Sequence, residues 1–238
     1  MAGLEPFKRP LGVRNLFILI LYRYMKLLLT SAGITNQSIA VALEELVGKK
    51  AGDISIGFIP TAKNIEPGNA AWFVKKLTQM FAFGFTNIDL IDPSARDVDW
   101  RLALADKDVI LVGGGNTFHL LNQVRAAGVD KWLHDNMRNK VYVGISAGSI
   151  LATPNIGIAS VGEGDENLPG LTDLTALSLV DFEVSPHSPE SVTSDENREY
   201  AKSISNVLYA YDDDSAVRVN GKSIDIISEG QSEVFNLT

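Results

Sequence analysis

From Met25 onward the chain alternates short apolar runs with amphipathic stretches. Residues 25–33 (MKLLLTSAG) read as a strand breaking into a small-residue turn, and 39–47 (IAVALEELV) as a helix. Residues 54–60 (ISIGFIP) form a strand stopped by proline, 70–83 a helix, and 85–91 (FTNIDLI) a further strand. Residues 108–112 (DVILV) run straight into three glycines, with helices following at 118–126 and 130–136. Residues 141–145 (VYVGI) enter a turn of small residues, after which 149–152 starts a helix. Strands that are apolar throughout have no wet face. Separated by helices, they predict an α/β fold with a mostly parallel sheet and helices on both faces. The tail differs: 206–211, 216–219 and 223–227 are short, with a turn at Asn220-Gly221, which predicts an antiparallel C-terminal portion. No linker-like stretch divides residues 25–238, so one domain is expected.

The first 24 residues stand apart. Residues 16–22 (LFILILY) follow Lys8, Arg9 and Arg14, in the manner of a short signal peptide. Arg23 and Lys26 interrupt the run well short of the ~20 residues of a membrane span. Cleavage near Thr30-Ser31-Ala32 would also remove the first core strand. The expectation is a non-core extension ahead of a domain starting at Met25, and a cytoplasmic protein with no membrane partner.

Composition narrows the chemistry. A formal charge of −8 argues against nucleic acid, whose phosphates call for a basic patch. It also means that any selection of an acidic substrate must come from local cations. The chain has no cysteine, which removes disulfides, thiolate metal sites and every cysteine nucleophile.

Gly144-Ile145-Ser146-Ala147-Gly148 matches G-x-S-x-G and sits between an apolar strand and a helix start, the context that exposes a nucleophilic serine. The alternative is a small-residue turn in which Ser146 only caps the helix. Of the three histidines, His134 belongs to a polar helix face. His119 follows the glycine run but lacks an evident orienting acid. His187 lies where an apolar run ends in a proline-flanked loop, and is the preferred base. The orienting carboxylate is sought in 162–167 (GEGDEN), where Glu163, Asp165 and Glu166 are not ranked by sequence. Residues 112–117 (VGGGNT) lead from strand to helix, so their amides, with Asn116 and Thr117, face a position where an anion could sit. Opposite a serine elbow this run supplies half of an oxyanion hole, with the Ala147 amide as the other half. Arg198, in DENRE, reads by itself as an exposed helix charge.

Together, VGGGNTFHLL, GISAG and VDFEVSPH followed by ENRE resemble the peptidase E family of serine peptidases, which includes α-aspartyl dipeptidases and, more distantly, cyanophycinases. The similarity runs from about Met25 to the C-terminus. The resemblance implies a fold like that of class I glutamine amidotransferases, a Ser-His-acid triad that needs no metal or other cofactor, and removal of N-terminal aspartate from dipeptides. It matches Ser146 to the nucleophile and His187 to the base. Gly115 and Ala147 match the oxyanion donors, with Gly114 the neighbouring choice. Asp165 falls at the triad acid, with Glu163 and Glu166 open, and Arg198 at the arginine that reads the aspartyl carboxylate. An isoaspartyl or cyanophycin-type peptidase, an esterase and a non-catalytic binding domain are the rival readings. The antiparallel tail has edges that would admit a homodimer.

Overall fold

The computed structural model describes residues 25–237. The expected extension, residues 1–24, lies outside the described residues. In chain order the elements begin with β1 (Lys26–Thr30), α1 (Gln37–Val47), β2 (Ile56–Ile59), α2 (Ala71–Ala82), β3 (Ile88–Leu90), α3 (Trp100–Ala105) and β4 (Val109–Val112). They continue with α4 (Thr117–Ala127), α5 (Val129–Asn136), β5 (Val141–Ile145), α6 (Ala147–Leu151) and β6 (Glu183–Pro186). The chain closes with α7 (Ser194–Ala201), β7 (Leu208–Tyr211), β8 (Ser215–Asn220), β9 (Ser223–Ser228) and β10 (Ser232–Phe235).

The main sheet has seven strands in the order β3-β2-β4-β5-β1-β8-β9. Strands β3, β2, β4, β5 and β1 pair in parallel, and β8 and β9 complete the sheet antiparallel. The strands predicted to be buried on both faces are so: every residue of β2, β4 and β5 is buried. Their side chains alternate between two cores. Leu27, Leu29, Ile110, Val112 and Tyr142 pack with Phe118, Leu121 and Leu133 from α4 and α5. Leu28, Leu111, Val143 and Ile145 pack with Ile39, Leu43 and Met80 from α1 and α2.

Two features depart from the pattern reading. The segment at 206–211 pairs parallel with β6 and antiparallel with β10, in a separate three-stranded sheet. A strand's partner is a matter of topology, which its own alternation does not encode. Helix α3 was not foreseen because six residues are too few for a periodic signal. Its Trp100 is buried and meets Trp132 edge to face at 5.9 Å. Among the described residues, no helix is long and apolar enough to cross a membrane.

The β5–α6 junction explains both glycines of GISAG. A Cβ on Gly144 would stand 2.6 Å from the Ser149 backbone, and one on Gly148 would stand 2.0 Å from the Val112 carbonyl oxygen of β4. Helix α6 therefore lies directly on the sheet, closer than any side chain allows. Replacing Gly148 with Ala should lower the free energy of unfolding by at least about 1–3 kcal/mol, the ordinary cost of overpacking. Urea denaturation of the two proteins measures this directly.

Candidate active site

Five strand ends converge at the site. Ser31 follows β1, Gly113-Gly114-Gly115 follow β4, Ser146 follows β5, His187 follows β6, and Asp212-Asp213-Asp214 follow β7. The carboxyl ends of parallel strands share one edge of a sheet, and here β1, β4 and β5 of the large sheet meet β6 and β7 of the small one.

Ser146 stands in a backbone conformation rare for a residue with a side chain, φ 48° and ψ −109°. Such strain costs on the order of 1–3 kcal/mol and persists only where the surroundings impose it. Here the Ser146 amide donates to the Thr30 carbonyl at 3.0 Å, and the Ser149 hydroxyl donates to the same oxygen at 2.7 Å. The Thr30 hydroxyl donates to the Gly144 carbonyl at 2.7 Å. All of residues 141–152 are buried except Ser146. Its side chain makes no capping hydrogen bond to α6, so the capping reading fails.

His187 also has a positive φ, 59°. Its amide donates to the Ser31 hydroxyl oxygen at 2.9 Å, and its Nδ1–H donates to Asp213 Oδ1 at 2.6 Å. The Ser31 hydroxyl donates to the same Asp213 oxygen at 2.8 Å and lies 3.2 Å from Nδ1. With Nδ1 engaged, Nε2 is the nitrogen left for Ser146. The hydrogen bond from His187 leads the influences that lower the Asp213 carboxyl to about 2, opposed by partial burial and aided by the imidazole charge, Ser31 and Lys76.

The carboxylate beside the imidazole is therefore Asp213, not a member of GEGDEN. Asp165 Oδ2 instead accepts from the Thr117 amide at 2.7 Å, at the N-terminus of α4, where a negative charge is favoured. Glu163 and Glu166 are exposed and make no hydrogen bond or ion pair with His187. The sequence points to an acid between serine and histidine, whereas the carboxylate paired with the imidazole follows the histidine. The signal was present: YDDD ends an apolar strand, the same criterion that singled out His187. Ser31 was missed for want of any motif around it.

Two adjoining pockets share Ser146, Asp165 and His187. The smaller is lined by Thr117, Ile150, Glu163, Ser185 and Val192 among others. The buried Ser185 hydroxyl has no partner among the described residues. The larger, about 370 Å3, is lined by Ser31, Glu66, Trp72, Lys76, Gly114 and Gly115. Gly114 passes so close that a Cβ there would lie 3.3 Å from the Ser146 Cβ. At Gly115, φ is 131° and a Cβ would strike the Ala62 backbone at 2.5 Å. The amides of Gly114, Gly115 and Ala147 have no acceptor among the described residues, which leaves them free to receive an oxyanion beside Ser146.

The remaining residues singled out from the sequence are elsewhere. Asn116 caps α4, accepting from the His119 amide at 2.8 Å and donating to the Glu166 carbonyl at 2.9 Å, and lines neither pocket. Thr117 lines the smaller one. Arg198 is exposed, pairs with Asp195 on its own helix, and lines neither pocket. His134 is exposed, and His119 is outside both pockets.

The chain resembles known proteins in sequence and in fold. The family model for peptidase family S51 matches residues 27–227. An uncharacterized peptidase of Listeria monocytogenes is 30% identical over 178 residues, covering 71% of this chain and 84% of the relative. A protein of Nostoc sp. named peptidase E is 31% identical over 133 residues, covering 53% of this chain and 48% of its own. Among solved structures, a Listeria monocytogenes protein named as a peptidase E superposes with a TM-score of 0.73 at 24% identity, covering 86% of this chain and 98% of that one.

Replacing Asp213 with Asn should lower kcat/KM about 10^4-fold, the loss typical when an imidazole is held in the wrong tautomer. Replacing Glu166 with Gln should leave kcat/KM within about threefold. Stability gives a second readout. The Asp213 carboxyl lies below its ordinary 3.8, so its ionised form stabilises the fold fully above that value and loses its effect as pH falls through about 2. The stability gap between wild type and Asp213→Asn should therefore be constant above pH 5 and close between pH 4 and 2, as measured by urea denaturation.

Proposed function

The chain belongs to peptidase family S51 and is a serine peptidase, and from that premise we propose that it hydrolyses Asp-X dipeptides through an acyl-enzyme on Ser146. The observation that carries this reading is that Ser146, from the large sheet, and the hydrogen-bonded His187–Asp213 pair, from the small sheet, meet where the two sheets join, beside unpaired amides. The restriction to aspartyl dipeptides draws on the resemblance to peptidase E. The absence of cysteine accords with work in the cytoplasm.

In the proposed reaction Ser146 Oγ bonds to the peptide carbonyl carbon while His187 Nε2 takes its proton. The carbonyl oxygen becomes an oxyanion held by the Ala147 amide and that of Gly115 or Gly114. Losing one such donor typically raises the barrier by about 2.7–4 kcal/mol. The C–N bond then breaks as His187 returns the proton to the leaving amine. Water repeats the sequence on the ester, releasing aspartate and restoring Ser146. Asp213 holds the imidazole and stabilises its charged form, and Ser31 holds both partners in place. In the smaller pocket, Asp165 and Glu163 provide negative charge for the free α-ammonium of the substrate, which would confine cleavage to the first peptide bond.

The test is hydrolysis of Asp-Leu against Ala-Leu and Glu-Leu, in the presence of a metal chelator. Asp-Leu should be cleaved at least tenfold faster than the other two. Ser146→Ala should reduce turnover about a million-fold, as loss of the nucleophile does in other serine peptidases. Equal turnover of all three peptides would remove the aspartyl restriction. Full activity of Ser146→Ala would remove the mechanism.

A further inference from the structure

Assigning the aspartyl carboxylate to Arg198 leaves a difficulty, because that guanidinium is paired on its own helix and lies outside both pockets. The charged residues lining the smaller pocket, Glu163 and Asp165, are both acids and would repel a carboxylate. The larger pocket contains one cation, Lys76, together with Glu66 and Asp165.

Lys76 is placed there by the phase of α2. Phe73, Leu77 and Met80 turn into the core, while Trp72 and Lys76, one helical turn apart, line the pocket. The lysine stem passes over Gly33 in the β1–α1 turn, where a Cβ would lie 3.9 Å from its Cδ. The side chain is partly buried, yet its ammonium makes no hydrogen bond or ion pair among the described residues. Burial pushes it below the ordinary lysine value, with Asp213 acting in the opposite direction. A cation removed from water without a partner is unfavourable unless another group supplies the missing charge.

We infer that Lys76 receives a substrate carboxylate in the larger pocket: either the aspartyl side chain or the C-terminal carboxylate of the leaving residue. The inference rests on the peptidase reading, and it replaces Arg198 with Lys76 as the residue that reads acidity. The substrate then lies across Ser146 with its ammonium towards Asp165 and its carboxylate towards Lys76. A neutral residue at this position would lose the carboxylate contact, and arginine would retain much of it.

The experiment is calorimetric titration of intact peptides into Ser146→Ala protein, with Lys76 present, replaced by Met, or replaced by Arg. The peptides are Asp-Leu, Asn-Leu and Asp-Leu amide. Lys76→Met should weaken Asp-Leu binding by about 10- to 100-fold, the range for a hydrogen bond to a charged group, and Lys76→Arg should restore most of it. If the aspartyl side chain is the ligand, Lys76→Met abolishes the preference for Asp-Leu over Asn-Leu. If the C-terminus is the ligand, it abolishes the preference for Asp-Leu over the amide. Survival of both preferences in Lys76→Met overturns the inference. So does equal weakening of all three peptides, which would make Lys76 only a partner for Asp213. Because binding is read on uncut peptide, a wild-type protein that binds Asp-Leu through Lys76 but fails to cleave it would count against the proposed reaction alone.

Discussion

The site depends on the corner where β1 ends, at Thr30 and Ser31. Thr30 holds the serine elbow through three hydrogen bonds: its carbonyl accepts from the Ser146 amide and the Ser149 hydroxyl, and its hydroxyl donates to the Gly144 carbonyl. The next residue, Ser31, accepts from the His187 amide and donates to Asp213. Both residues are fully buried, so these bonds form in a medium where an unmade one is expensive. One corner thus positions Ser146, His187 and Asp213, although they come from β5, β6 and β7.

That arrangement follows from the joining of two sheets. Strand β1 is the last parallel strand of the large sheet and pairs antiparallel with β8 on its other side. Strands β6 and β7 run parallel in the small sheet, so His187 and the aspartates after Tyr211 leave it at the same end. The short connection from β7 to β8 then has to pass over the end of β1, carrying Asp213 to Ser31. The positive φ of Ser146 is held by its amide bond to Thr30, and that of His187 by its amide bond to Ser31 and its ring bond to Asp213.

This geometry also marks what could be read from sequence. The buried strands were legible because continuous apolar runs such as VILV and VYVGI leave little choice of environment. Ser146 was legible because a nucleophile elbow needs glycines at fixed offsets, and the contacts at Gly144 and Gly148 show the steric reason. Asp213 was not, because a carboxylate's distance from an imidazole depends on the β6–β7–β8 path and not on spacing along the chain. The loop between serine and histidine offered three acids and the resemblance singled out Asp165, yet its carboxylate accepts from the Thr117 amide and not from His187. Arg198 fits a motif, but helical phase turns it towards Asp195 and solvent.

The same distinction between overall and local properties governs charge. A net charge of −8 gives an acidic substrate no help at long range, and beyond a Debye length of about 8–10 Å salt screens most of it. Inside the pocket the balance is different. Two unit charges 4 Å apart interact by about 4 kcal/mol at an effective dielectric near 20, against about 1 kcal/mol in bulk water. One partly buried ammonium beside the nucleophile can therefore outweigh many surface carboxylates in deciding what binds. Lys76 must do so without collapsing onto Asp213, whose oxygen already accepts from His187 and Ser31. The lysine is near that carboxylate but not paired with it, and hence still able to attract one from a substrate.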